Sequence, residues 1–426
     1  DVYKRQVYDC TAPVAFVGKG SIELKGNTYT QVLNWYDTAY AGAITSGSDH
    51  PVVFDVPVKA TETLSMQYRN LAAIHGGRGY IAFTKQVEGG NVFAIQGDVR
   101  VAGNASAQNL LLHEQLKALP SKRTRLSVLP GGSIEATCQT MPQSGVNCDM
   151  CIYSNATVTI RNDADAECLW GHDAERTPIE VKRFGLFDCR APLGGSSKIA
   201  FAGEGEVRLA DTGTRATSDY PVVFDGVTFA VDRFAAGHPV ILKGSPTWAS
   251  KADWTYSLGE VAMPAGETLT VDTGDLDDAS VAHSVRIDSP LAADRVVKAG
   301  VGTLTLGSAG NRIGALRVDA GTLDISGAQS FGSLDFAAGT ALRLGGKDAH
   351  ISIASGGLDF TRFTIEVAPS AFSGMKSWTT VLTVPEGVAA SGTPVFASNV
   401  KVRVVEGETG TSYQVKCATG FMTVIR

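Results

Sequence analysis

The chain has 426 residues, 47 of them glycine, and a formal net charge of −6. That length exceeds one ordinary globular core, so it implies two or three domains or an architecture whose core grows along one axis. The acidic balance and the lack of a long basic run argue against a nucleic-acid binder, and no apolar run of about 18 residues or more exists to form a transmembrane helix.

Glycine stands near 11%, against a usual level of about 7%, and charged residues at 19% fall below the usual quarter. This composition suits short strands joined by many tight turns. The first residues, Asp1–Gln6, carry neither a start Met nor an apolar signal core. They read as a truncated or foreign leader and are set aside.

Residues 7–105 read as the first copy of a duplicated β unit, and residues 188–290 as the second. Asp9-Cys10-Thr-Ala-Pro13 returns as Asp188-Cys189-Arg-Ala-Pro192. Ala15-Phe-Val-Gly-Lys-Gly-Ser-Ile-Glu-Leu24 returns as Ala200-Phe-Ala-Gly-Glu-Gly-Glu-Val-Arg-Leu209, and Pro51-Val-Val-Phe-Asp55 as Pro221-Val-Val-Phe-Asp225. Three blocks in one order point to duplication, each opening a run of strands punctuated by glycine and proline. Each copy also gathers aromatics: Trp35, Tyr36 and Tyr40 in the first, Trp248, Trp254 and Tyr256 in the second. Such rings either fill a core or, if exposed, stack on sugars.

Residues 106–187 read as an irregular insertion. Ser106–Leu119 has a helical pattern stopped by Pro120. Beyond it lies a cysteine-bearing region, with Cys148-Asp-Met-Cys151 flanked by Cys138, Cys168 and His172. Disulfides stapling a loop, free thiols and a zinc site all remain open for Cys138, Cys148, Cys151 and Cys168. Two acidic clusters, Asp163-Ala-Asp165-Ala-Glu167 and Asp272-Thr-Gly-Asp275-Leu-Asp277-Asp278, offer oxygen ligands but lack the spacing of a calcium loop; solvated turns are the plainer reading.

Residues 291–350 are the most regular part. Leu316 recurs as Leu334, Val318 as Phe336 and Gly321 as Gly339, each 18 residues on. Each repeat holds two alternating runs joined by a glycine turn, and alternation turns every second side chain to one face. One apolar row in so short a unit cannot bury itself, so the units must stack. Within this stretch Lys298, Arg312, Arg317, Asp319, Asp324, Asp335 and Arg343 read as outward charges without a catalytic constellation. Residues 351–426 continue as looser rungs, with Thr380–Val384, Val400–Val405 and Phe421–Ile425 as a candidate terminal cap.

Lys298-Ala-Gly-Val-Gly-Thr-Leu-Thr-Leu306, followed by Ala315-Leu-Arg-Val-Asp-Ala-Gly-Thr-Leu323, resembles the autotransporter-associated β-strand repeat of bacterial passenger domains. The resemblance covers one motif and a degenerate copy at 331–344. It implies a right-handed parallel β-helix outside a bacterial cell and no catalytic residues. The membrane barrel that ends an autotransporter does not fit in the residues after the last repeat. It is expected to be absent or to lie outside this sequence.

No G-x-S-x-G, H-E-x-x-H or phosphate-loop pattern occurs. The sequence therefore reads as all-β, chiefly a right-handed parallel β-solenoid with an irregular cysteine-containing insertion. Its expected role is an extracellular or cell-surface, non-enzymatic structural or adhesive module without cofactors. Its expected partner is a surface glycan or protein, with Trp35, Tyr36, Trp248, Trp254 and Tyr256 as candidate contacts. A carbohydrate-binding or polysaccharide-active β-helix is the alternative.

Overall fold

The computed structural model describes residues 8–10, 14–24, 44–46, 52–60, 63–68, 80–96, 98–112, 124–140, 148–161, 168–169, 179–194, 199–211, 221–234, 240–257, 259, 261–368, 371, 377–396 and 400–417. Every named element among them is a β-strand. The chain divides into two compact units, Asp1–Val240 and Ile241–Arg426.

In the first unit, one ladder runs through Val14–Val17, Val52–Asp55, Ile81–Phe83, Asp98–Val101, Thr124–Val128, Cys148–Ile152, Ile179–Val181, Ile199–Gly203 and Val222–Asp225. Each strand pairs with the next in parallel. A second parallel ladder runs through Ile22–Leu24, Val58–Ala60, Val87–Glu88, Asn104–Leu112, Ser133–Thr140, Thr157–Ile160, Leu186–Gly194, Glu206–Asp211 and Thr228–Val231. Parallel strands need covered faces, and here alternation supplies one buried row per strand. Val87, Ala105, Ile134, Val158, Phe187, Val207 and Phe229 are buried at successive register positions of the second ladder.

The duplicated blocks build equivalent strand pairs. In the first copy Phe16 pairs with Phe54 and their rings stack with centroids 4.8 Å apart. In the second, Phe201 pairs with Phe224 and stacks at 5.8 Å. The repeated Ala-Phe and Val-Val-Phe-Asp runs thus mark neighbouring strands, with phenylalanine laid on phenylalanine.

Two expectations for residues 106–187 are corrected. Ser106–Leu112 is not helical; it belongs to the strand Asn104–Leu112, which pairs with Val87–Glu88, Val92–Gln96 and Ser133–Thr140. Ala105 and Ala107 alternate in step with Ile134 and Ala136, and these neighbours override the local helical pattern. Residues 113–119 lie outside the described set. Nor are the described strands of the region irregular: Thr124–Val128, Ser133–Thr140, Cys148–Ile152, Thr157–Ile160 and Ile179–Val181 are ordinary members of the two ladders.

In the second unit one parallel ladder joins Thr247–Ser250, Thr268–Asp275, Leu291–Ala299, Arg312–Val318, Ala328–Phe336, His350–Ile353 and Thr379–Pro385. The other joins Trp254–Tyr256, Ser284–Ile287, Thr303–Leu306, Thr322–Ile325, Thr340–Leu344, Phe363–Val367 and Val395–Phe396. Leu316 is the register partner of Leu334, and Val318 of Phe336, as the sequence period requires. All four are buried. Gly321 and Gly339 hold the turns at φ +67° and +82°, a region that disfavours other residues.

The parallel order stops at the C-terminal end. Gly410–Cys417 pairs antiparallel with Thr379–Pro385 on one side and with Val400–Gly407 on the other. The terminal sheet therefore uses Gly410–Cys417 as its central strand. Phe421–Ile425, expected in the cap, lies outside the described residues.

Candidate functional site

The second-copy aromatics form a core cluster. Trp248 and Tyr256 are 0% and 1% exposed, with Trp254 stacked on Trp248 at 4.5 Å and Tyr256 edge-on to it at 5.3 Å. Burial pushes the Tyr256 hydroxyl up to about 12. This corrects the glycan-contact expectation for Trp248 and Tyr256, because a ring sealed from solvent cannot stack on a sugar. Trp254 keeps part of its surface exposed, and its indole N–H donates to Ser250 Oγ at 3.4 Å. Trp35 and Tyr36 lie outside the described residues.

The cysteines fall on strands rather than on a knuckle. Cys148 and Cys151 share the strand Cys148–Ile152. Three residues of extended chain separate their Cα atoms by about 10 Å, beyond the reach of a disulfide. Cys151 is a buried free thiol, one of the three states the sequence leaves open for it. Its Sγ lies 3.5 Å from Glu180 Oε2, and burial first, then that carboxylate, holds its pKa up. Cys138 lies on Ser133–Thr140, one residue before Gln139, the register partner of Cys168. Among the described residues no group of three or more His, Cys, Asp or Glu side chains is placed to hold a metal ion.

The acidic turn of 272–278 uses its carboxylates internally. Asp275 Oδ1 accepts the backbone N–H groups of Asp277 and Asp278 at 2.8 and 3.0 Å, and its Oδ2 lies 2.9 Å from His283 Nε2. The His283 contact, then these N–H groups, hold the Asp275 carboxyl at about 2. Asp278 Oδ1 likewise accepts the Ser280 N–H and hydroxyl. Residues 163–167 lie outside the described set.

Lys298 departs from its outward reading. It occupies the inward row Val271–Lys298–Val318–Phe336 and is fully buried. Strand alternation decides this: Val296 points inward, so the residue two further on does too. Nζ donates to Thr273 Oγ1, Ala299 O and Gly300 O at 2.7, 3.0 and 2.6 Å. Burial pulls its pKa from 10.5 down to about 8, opposed by the nearby Asp272 charge. With all three protons donated, Lys298 ties the glycine turn to the preceding rung.

Among the described residues, grooves open on the ladder faces of both units. In the second unit a groove of about 570 Å³ is lined by Asp294, Asn311, Arg312, Ser330 and small residues including Gly314 and Gly332. Its polar floor is satisfied: Asn311 Nδ2 donates to Gln329 Oε1 at 2.9 Å, Gln329 Nε2 to Ser308 O at 2.6 Å, and Asp294 Oδ2 accepts the Gly266 N–H at 2.7 Å. In the first unit a groove of about 320 Å³ includes Glu88, Glu135 and Arg161. Its two acids pair with cations, Glu135 with Arg161 at 2.5 Å and Glu88 with Lys59 at 3.1 Å. These grooves offer hydrogen-bonding walls and paired charge rather than free acids facing one another.

The residue set the sequence did not reveal lies on the terminal antiparallel sheet. Lys401 and Lys416 are direct register partners there, and Arg403 pairs with Gln414. Positions fifteen apart in sequence meet only through the hairpin, a pairing that hydrophobic periodicity does not report. No helix among the described residues is long and apolar enough to cross a membrane. No family model, no curated protein and no solved structure matches the chain.

Proposed function

We propose that the chain is a right-handed parallel β-solenoid of the autotransporter-repeat type, acting as a non-enzymatic structural or adhesive module of a bacterial surface or secreted protein. The observation that carries this reading is the like-on-like register within each unit, exemplified by Leu269, Val296, Leu316 and Leu334 stacked at successive positions. Such stacking produces a stiff scaffold whose outward faces and loops present contacts without requiring chemistry of their own. Its partner would be a surface glycan or protein.

The rival is a polysaccharide-active enzyme on the same coil, which needs two carboxyl groups poised about 5–9.5 Å apart across a sugar. The paired states of Glu88 and Glu135, and the backbone duty of Asp294, favour the non-catalytic reading. The test is to couple the purified chain to beads and measure retention on glycan-coated surfaces while assaying the glycans for new reducing ends or unsaturated uronates. Retention without turnover is expected. Accumulating cleavage products would contradict the proposal, and no retention on any coated surface would remove a glycan as its partner.

A further inference from the structure

The terminal antiparallel sheet presents one apolar and one cationic face. Tyr413 and Val415 on the central strand are buried, so the intervening Gln414 and Lys416 turn to the opposite side. Lys401 pairs directly with Lys416, and Arg403 with Gln414, so all four side chains share that outer face. Like charges directly opposite one another on a sheet are destabilising. Among the described residues no ion pair relieves Lys401, Lys416 or Arg403. An anion shared between the two side chains would offset that pairing of like charges.

Arg403 is also held in place. Its Nε donates to Gln414 Oε1 at 2.7 Å, Gln414 Nε2 donates to Thr380 Oγ1 at 3.1 Å, and the guanidinium lies 4.5 Å from the centroid of the Trp378 ring. This chain of contacts spans all three strands, and among the described residues no hydrogen bond engages the terminal guanidinium nitrogens. Trp378 itself remains partly exposed. An aromatic ring, a fixed guanidinium and two facing ammonium groups combine the recognition of a sugar ring with that of its acidic substituent.

We propose that this face binds an acidic glycan, with Lys401, Lys416 and Arg403 engaging carboxylate or sulfate groups and Trp378 flanking a sugar ring. The proposal deepens the adhesive reading by assigning its partner chemistry and rests on that reading only for biological context. The patch stands or falls by direct binding. A glycan held through other residues would leave the adhesive reading intact and remove this one.

The test titrates the full chain with polygalacturonate, dextran sulfate, neutral dextran and a single-stranded oligonucleotide, each at several salt concentrations. Binding to an acidic polysaccharide and none to neutral dextran is expected. Polygalacturonate and dextran sulfate separate carboxylate from sulfate as the preferred group. Lys401→Gln with Lys416→Gln should weaken binding roughly tenfold and lower the logarithmic salt slope by about 1–2. The melting temperature of that variant should be unchanged or slightly raised, since a repulsion has been removed. Arg403→Lys should weaken binding about threefold while keeping the charge, because the fork is lost. No binding to either acidic polymer, affinity unchanged in the double variant, or tighter binding of the oligonucleotide would each overturn the proposal.

Discussion

Residues 291–344 and the strand Val400–Gly407 both alternate apolar with other residues, yet they bury their side chains differently. In the first stretch Val296, Leu316, Val318 and Leu334 are at most 1% exposed, because each strand has a parallel neighbour on either side and a covered inner face. In the second, Val402, Val404 and Val405 are 38%, 51% and 38% exposed, on a strand whose described partner lies on one side only. The alternating pattern is shared. What differs is how many neighbours the backbone provides, and that decides whether a valine stabilises a core or sits at a surface.

The largest effect expected from this contrast is at Leu316. Leu316→Ala removes a buried side chain stacked on Leu334 and should cost about 2–5 kcal/mol in denaturant unfolding. A loss below about 1 kcal/mol would mean that the inner row is not packed as a core. Because the two units need not unfold together, the change should be read from the transition assigned to the second unit.

Lys298 sharpens the same point, being a cation placed in an apolar row. Its folded pKa of about 8 lies below its ordinary 10.5. Between those values the unfolded chain keeps a proton that the folded chain has shed, so stability should rise with pH across that window. The gain is complete above pH 10.5 and is lost as pH falls through 8. Its upper size is roughly 3 kcal/mol. Lys298→Met should abolish that part of the slope, and an identical pH profile in the variant would contradict the assignment.

The repeat's two equivalent glycines provide a smaller and more discriminating test. A Cβ on Gly321 would lie 2.3 Å from Gly302 O, whereas one on Gly339 would meet nothing within 4 Å among the described residues. Gly339→Ala should cost about 1 kcal/mol from its positive φ alone, and Gly321→Ala about 2 kcal/mol or more because the collision is added. Equal losses would show that the turn at Gly321 relaxes freely. The smallest effect belongs to the open edge, where Val404→Ala should change stability by less than about 0.5 kcal/mol.

Much of the ladder was legible because a period reports neighbours directly. The recurrence of Leu316 at Leu334 gave their pairing, and the two Val-Val-Phe-Asp blocks gave equivalent strands in the two copies. Other features depend on contacts that no local pattern carries. Leu110, Leu111 and Leu112 read as helix until the flanking strands are known. Lys298 reads as surface because charge usually means exposure, whereas here its ammonium reaches three oxygens at a turn. Trp248 reads as either core or platform, and only its neighbours decide. The cationic face stays hidden because Lys401 and Lys416 meet across a hairpin.

Adjacent rungs of the second unit are hydrogen-bonded neighbours in a fixed register. Disulfide trapping tests this with Arg317→Cys and Asp335→Cys, register partners on the partly exposed side of Arg312–Val318 and Ala328–Phe336. Mild oxidation should form an intramolecular 317–335 bridge, identified by peptide mapping, while Arg317→Cys with Ser352→Cys, two strands apart, should not cross-link. No 317–335 bridge, or equal trapping in both pairs, would contradict the stacked parallel ladder.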